Sequence, residues 1–387
     1  MKNLKLKYIL TQSIFWMLMA CLTSYINVIL TGRGISVSNI GIIAAVGSVI
    51  AAFFGPFISQ LCENSKSKTE REYMLIVILV SIISLILSLL FRSPIITVLI
   101  LILIPNVLVL SLQPLLNSLG MNYMQLDKNI DFSKARGIGA FSYAICSLIL
   151  GKMSVGNSDM PIIFSIVLFA LLFFIMLSQP HLENINSLHT SSEAVESDIP
   201  FSKKEATAAI IGVILLFVFY QINHSFMLQI MENLGGDSSH MGLAFSIAAF
   251  SETVAMFALP KVLGKYNLIK LFKFSAVMFI VKGILTYFAP TVGILLAVQL
   301  SQVVGFGIFT PVSVYLFSRK FPPSMRIRAQ GYLTSSITLG GVFGLLIGGI
   351  LVENLGIANT ILISMLFALT GTISIFTIKN INQKGSV

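Results

Sequence analysis

The chain has 387 residues, of which 56% are hydrophobic and only 10% charged. So few charges cannot cover the surface of a water-soluble protein of this length, so lipid must be the solvent for most of it. The formal charge of +10 does not indicate a nucleic-acid binder, because the basic residues are scattered between apolar runs.

The N-terminal stretch, MKNLKLKYILTQSIFWMLMACL, has the basic start and apolar run of a signal peptide. The run continues to about Leu30 without a small-x-small cleavage site, so it reads as a retained first helix. A hydrocarbon core of ~30 Å takes ~20 helical residues to cross. Stretches of that length fall at 8–30, 39–62, 73–91, 95–123, 134–155 and 161–179. After a hydrophilic interval they resume at 205–231, 240–263, 268–288, 291–318, 327–352 and 357–378. All twelve are predicted to be helices, since a chain in lipid must satisfy its backbone internally and no barrel-like alternation is present. The expected organisation is a six-helix bundle over 1–180, a linker over 181–204 and a second six-helix bundle over 205–387.

Lysine and arginine set the direction. With the N-terminus on the cytoplasmic side, 21 of the 25 basic residues fall on that side. Arg33, Arg92 and Lys152 fall outside, and Lys282 lies within a span. Such a bias predicts both termini in the cytoplasm and a multi-pass protein of the cytoplasmic membrane.

The second half repeats the punctuation of the first. Gly34 and Gly41 in GISVSNIG are echoed by Gly235 and Gly242 in GGDSSHMG, and Arg136-Gly-Ile-Gly139 is echoed by Arg328-Ala-Gln-Gly331. A duplicated, wholly hydrophobic unit is the plan of many secondary transporters, which hold solute between the halves.

Polar groups inside such spans need a reason. Of the fifteen acidic residues only Glu252 sits near the middle of a hydrophobic helix. An uncompensated charge there costs at least ~2.5–3.5 kcal/mol, so Glu252 either couples transport to protons or locks helix packing. Arg136 opens the fifth span, either as an orientation charge or as a group facing a cavity. Lys282, nearer the outer end of the ninth, either snorkels to the surface or acts as a charge partner. Tyr25, Asn27, Asn117, Asn223, His224, Gln299 and Gln302 are further polar groups within spans, able to bind solute hydroxyls or to tie helices together. Trp16 and most phenylalanines read as lipid- or core-facing. Cys21, Cys62 and Cys146 read as small buried apolar residues that offer no disulfide or zinc site. Gly340, Gly344 and Gly348 form a small-residue stripe for close helix packing.

These residues resemble the major facilitator superfamily over essentially the whole chain, and within it the lactose-permease-like branch of sugar and nucleoside symporters. The matching stretches are Gly41-Ile-Ile-Ala-Ala, Gly55-Pro56-Phe57 with Glu63, Phe132-Ser-Lys-Ala-Arg136-Gly-Ile-Gly139, Val281-Lys282-Gly283 and Arg328-Ala-Gln-Gly331. The resemblance implies that Arg136 binds solute hydroxyls and that Tyr143 holds the place of an aromatic residue stacked on a sugar ring. The chain departs from the pattern where Asn117 and Ser118 stand near an acidic sugar ligand, and where Phe306 and Phe309 stand near a His and Glu of the proton relay.

The expected function is alternating-access transport of a small polar solute by a monomer, coupled to protons. Arg136, Tyr143, Asn117, Asn27, Tyr25 and Gln302 are the expected solute ligands, Glu252 the proton carrier and Lys282 its possible charge partner. Efflux of a sugar or drug is the alternative within transport, and a non-transporting membrane sensor is the alternative outside it. No cofactor motif, metal cluster, catalytic triad or nucleic-acid patch is present in the sequence, which leaves enzyme activity without support.

Overall fold

The computed structural model describes residues 4–64, 70–91, 95–126, 130, 132–179, 201–263, 266–321 and 326–379, and most of the linker expected at 181–204 lies outside them. Every regular element among these residues is a helix. The order is α1 (Leu4–Met19), a π turn (Ala20–Ser24), α2 (Ile26–Thr31), α3 (Val37–Asn64), α4 (Glu70–Leu90), α5 (Ile95–Leu126), α6 (Phe132–Met153) and α7 (Met160–Ser178). It continues with α8 (Lys203–Ser225), α9 (Met227–Glu232), α10 (Ser238–Leu263), α11 (Leu268–Tyr287), α12 (Val292–Val298), a 3-10 turn (Gln299–Val303), α13 (Phe306–Lys320) and α14 (Arg326–Phe376). Gly356 breaks α14 with a φ of 77°, so α14 is two helical arms joined at a sharp corner.

Eight stretches among the described residues are long and apolar enough to cross a membrane, one of them the whole double arm from Gly331 to Phe376. The long helices outside that set are α6, α10 and α11. These three carry Arg136, Glu252 and Lys282, the charges singled out above.

The chain divides into two compact units, Met1–Thr190 with Met231–Phe250, and Ser191–Ile230 with Ser251–Val387. In the first, α1 packs on α6 and α7, and α5 packs on α3 and α4. In the second, α14 packs along α8 and α11, around a core rich in rings that includes Phe217, Phe219, Phe272, Phe279, Phe309 and Phe317.

Local geometry exposes the duplication more sharply than the letters do. Among the described residues, the glycines with a left-handed backbone are Gly34, Gly156, Gly235 and Gly356. They form two pairs, Gly34 with Gly235 and Gly156 with Gly356, whose separations along the chain are nearly equal. An L side chain in that conformation costs about 1–2 kcal/mol, which is why glycine holds all four corners. The Gly34 amide donates to the Thr31 carbonyl and the Gly235 amide to the Glu232 carbonyl, at 2.9 and 3.0 Å. The residues that interrupt the helices just before these corners, Tyr25 and Phe226, are paired too, with φ of −95° and −101°. After the corners, Ser36 and Asp237 start α3 and α10, the Asp237 carboxylate accepting from the Ser239 and His240 amides at 3.0 and 3.2 Å. Burial pushes the Asp237 carboxyl up, but the hydrogen bonds and charge of His240 outweigh it and hold the group below its usual range.

One expected echo is out of register. Gly139 packs its face on Trp16, and Gly340 packs its face on Phe217. Both members of this contact are displaced along the chain by the same interval that separates Gly34 from Gly235. Ile337, not Arg328, is therefore the counterpart of Arg136. The helix–helix contacts fix the alignment, and the shorter spacing from Arg136 to Arg328 would slide one helix by more than two turns.

The units also share their helix ends. The Arg71 guanidinium, at the start of α4, donates to the Met176 and Leu177 carbonyls at the end of α7, both at 2.9 Å. The Lys273 ammonium, early in α11, donates to the Ile378 carbonyl beyond α14 at 2.6 Å. Cations placed there satisfy carbonyls that have no partner within their own helix.

Candidate functional site

Among the described residues, each unit holds a cluster of polar side chains that includes residues expected to act in transport. In the first unit the cluster joins α6 to α1 and the π turn. Arg136, four residues into α6, lies with its guanidinium carbon 3.5 Å from the centroid of the Trp16 ring. Trp16 is twelve residues into α1, which at 1.5 Å per residue is about 18 Å from that helix's start.

Further along the same face of α6, the Tyr143 hydroxyl bonds the Ser24 hydroxyl at 2.6 Å, and Ser147 accepts the Tyr25 hydroxyl on its carbonyl at 2.7 Å. Tyr25 is fully buried, its ring edge-on to Phe245 at 6.3 Å. Asn27, also buried, accepts from the Thr31 hydroxyl at 3.0 Å. Tyr25 therefore ties the end of the π turn to α6 and Asn27 bonds within α2, while Tyr143 and Arg136 are half-buried. Asn117 is half-buried on α5 and joins neither group by a hydrogen bond among the described residues. Cys21 and Cys146 meet in this cluster with their sulfurs 3.9 Å apart, both as free thiols.

In the second unit three expected residues form one chain. The Gln302 amide nitrogen donates to Glu252 Oε1 at 3.0 Å, and its amide oxygen accepts from the Lys282 ammonium. Gln302 sits on the 3-10 turn that interrupts α12 and α13, Glu252 on α10 and Lys282 on α11. The break in the helix lets an amide point inward where a continuous helix would have spread its polar atoms along one face. Gly307 serves the same closeness, since a Cβ there would stand 3.5 Å from the Glu252 Cα and 2.7 Å from the Ala255 Cβ. The His224 ring stacks on Tyr220 at 5.6 Å, and Tyr220 stacks in turn on Phe306 at 4.3 Å. Asn223 and Gln299 belong to the packing: Asn223 donates to the Phe219 carbonyl and the Ser364 hydroxyl, and Gln299 to the Leu295 carbonyl.

Three features escape the sequence reading. Trp16 reads as core- or lipid-facing, yet it carries Arg136 on its face. Asn106, which donates to the Leu22 carbonyl at 2.7 Å, anchors α5 to the π turn. The stack of Tyr220 and Phe306 depends on the bend at the 3-10 turn, which hydropathy does not report; the cluster of Gln299, Gln302, Gly305 and Gly307 is its signal.

A family model described as MFS_1 like family matches residues 2–363. The solved nucleoside transporter NupG aligns at a TM-score of 0.80 and 19% identity, over 97% of this chain and 98% of that one. A D-xylose-proton symporter aligns at 0.70 and 14%, over 98% and 97%. The POT family transporter PepTSo aligns at 0.70 and 10%, over 96% of each chain. At these identities the likeness shows the fold.

Proposed function

The chain belongs to the MFS_1 like family of major facilitator proteins, and we propose from that premise that it carries a small polar solute, a sugar or a nucleoside, together with protons. The fold class expected from the sequence, an all-helical multi-pass membrane protein of major facilitator type, is the premise for the mechanism. The two units alternate in access to the two sides of the cytoplasmic membrane, with both termini in the cytoplasm and one chain sufficient for transport. Arg136 and Tyr143 bind solute oxygens, the guanidinium offering a planar fork that matches paired hydroxyls. Nucleosides and sugars share such paired hydroxyls, and the proteins named NupG and D-xylose-proton symporter lend the proposal these two solute classes.

The observation that carries the proton-coupled reading is the mid-helix chain of Glu252, Gln302 and Lys282. A carboxylate there has an amide and a nearby ammonium to compensate it, so it is stable both charged and protonated at modest cost. Taking up a proton cancels the Glu252 charge and loosens its hold on Gln302, which changes what α10, α11 and the 3-10 turn share. Glu252→Gln keeps the shape and removes the titration. In proteoliposomes under an imposed proton gradient, this variant is expected to lose uphill accumulation of xylose or uridine while retaining solute exchange. Uphill accumulation at the wild-type level would overturn the assignment.

A further inference from the structure

Trp16 is the only tryptophan in the chain. Arg136 lies over its face at 3.5 Å. Gly139, one turn beyond Arg136, has its missing Cβ position 2.5 Å from the indole Cδ1, so only glycine lets the ring lie this close to α6. The indole Nε1 is buried and has no hydrogen-bond acceptor. Leaving such a donor unpaired is unfavourable, and a ring without an N–H would avoid that cost.

The other half of the duplication shows that a ring without an N–H suffices for the packing. Phe217 stands at the position equivalent to Trp16 and meets Gly340, whose Cβ position lies 2.6 Å from the Phe217 Cβ. The residue equivalent to Arg136 there is Ile337, packed against the apolar core. Both helix pairs set a glycine against the equivalent aromatic residue, at the indole ring in the first and at the Cβ in the second, yet the cation and the indole N–H occur only in the first. Helix packing therefore accounts for the ring and leaves the N–H unexplained.

We propose that Trp16 is a solute-contacting residue, its ring seating the Arg136 guanidinium and its indole N–H donating to a hydroxyl or carbonyl oxygen of the bound solute. The guanidinium over the ring face and the N–H at the ring edge are close enough to read neighbouring oxygens of one sugar or ribose. This inference rests on the reading that Arg136 faces the solute. Arg136 then acts with a partner from α1, and selectivity follows from where the solute carries its acceptor.

The single tryptophan makes the test direct, and its first measurement needs no variant. Purified wild-type protein is titrated with xylose and with uridine while tryptophan emission is followed. The solute that proteoliposomes accumulate is expected to shift the emission saturably, with a midpoint matching the KM for uptake. Trp16→Phe keeps the ring and deletes the donor; its KM is expected to rise about 2–10-fold with the maximal rate little changed. A deoxy analogue lacking the recognised oxygen should lose affinity for wild type but lose none further for Trp16→Phe. Unchanged emission with a transported solute, or a KM for Trp16→Phe equal to that of wild type, overturns the inference and leaves the transport reading standing. Absence of saturable uptake of either probe by wild type overturns the transport reading, and this inference with it.

Discussion

Glu252, Lys282 and Gln302 illustrate what single residues disclose. Each is visible in the sequence because a polar side chain in an apolar helix stands out, and its cost demands a partner. Their connection is not visible there, since Gln302 is 50 residues from Glu252 and 20 from Lys282 and reaches both only through the 3-10 turn. The chain of bonds implies that its members are not independent. Lys282→Met leaves the Gln302 oxygen without its cation and the carboxylate without its compensating charge, at a cost of about 1–3 kcal/mol. Adding Glu252→Gln removes the stranded charge, so the double variant is expected to melt above the Lys282→Met single variant in detergent. Strictly additive losses would mean that the two residues are uncoupled. Arg136 belongs to the same scale. Arg136→Lys keeps the charge but loses both the guanidinium contact with the Trp16 ring and the planar fork, so uptake is expected to fall at least tenfold while membrane insertion stays normal. Wild-type uptake by the lysine variant would reduce Arg136 to an orientation charge.

Helices are legible as apolar runs, their interruptions much less so. The π turn at Ala20–Ser24 and the 3-10 turn at Gln299–Val303 occur inside stretches whose hydropathy is continuous, because broken and unbroken helices bury similar side chains. The glycine stripe of α14 is legible as a packing surface, but its partner is not. Gly340, Gly344 and Gly348 all face α8, meeting Ile214 and Phe217, then Val218 and Gln221, then Ile222 and Phe226. Because α8 and α14 belong to the same compact unit, the stripe holds that unit together instead of lying on a surface that slides. A bulky residue there threatens folding before it traps a transport state, which reverses the outcome expected of a sliding contact. A Cβ on Gly344 would lie 2.9 Å from the Val218 carbonyl oxygen, whereas one on Gly341 has only Gln221 Oε1 nearby, at 3.8 Å. Gly344→Leu is therefore expected to lower stability by about 1–3 kcal/mol or more, and Gly341→Leu to change it little. Thermal unfolding of the two variants side by side decides, and equal melting points would place the stripe away from α8.

At the scale of the whole molecule the duplication ties the observations together. The letters show it at Gly34 and Gly235 but misplace it at Arg136 and Arg328, since letter matches ignore geometry. Left-handed corners, helix interruptions and helix-end caps recur at nearly one interval because each half solves the same backbone problems in the same order. That recurrence carries a topological consequence. If each repeat contains six spans, an even number, the second repeat enters the membrane from the same side as the first, and equivalent positions face the same compartment. Asn157 and Ala358 lie close to such a pair of positions, both exposed, one residue after Gly156 and two after Gly356. If the lysine and arginine bias sets the direction, with both termini in the cytoplasm, both positions are expected to face outward. Tyr266, exposed between α10 and α11, is then expected to face inward. The three native cysteines are buried, so they leave little background for thiol labelling. Asn157→Cys and Ala358→Cys are thus expected to react with a membrane-impermeant maleimide on intact cells, and Tyr266→Cys only after the membrane is opened. Labelling of Asn157→Cys and Ala358→Cys from opposite sides would require an odd number of spans between them and would break the two-times-six arrangement. Labelling of all three from the reverse side would keep the arrangement and invert the orientation.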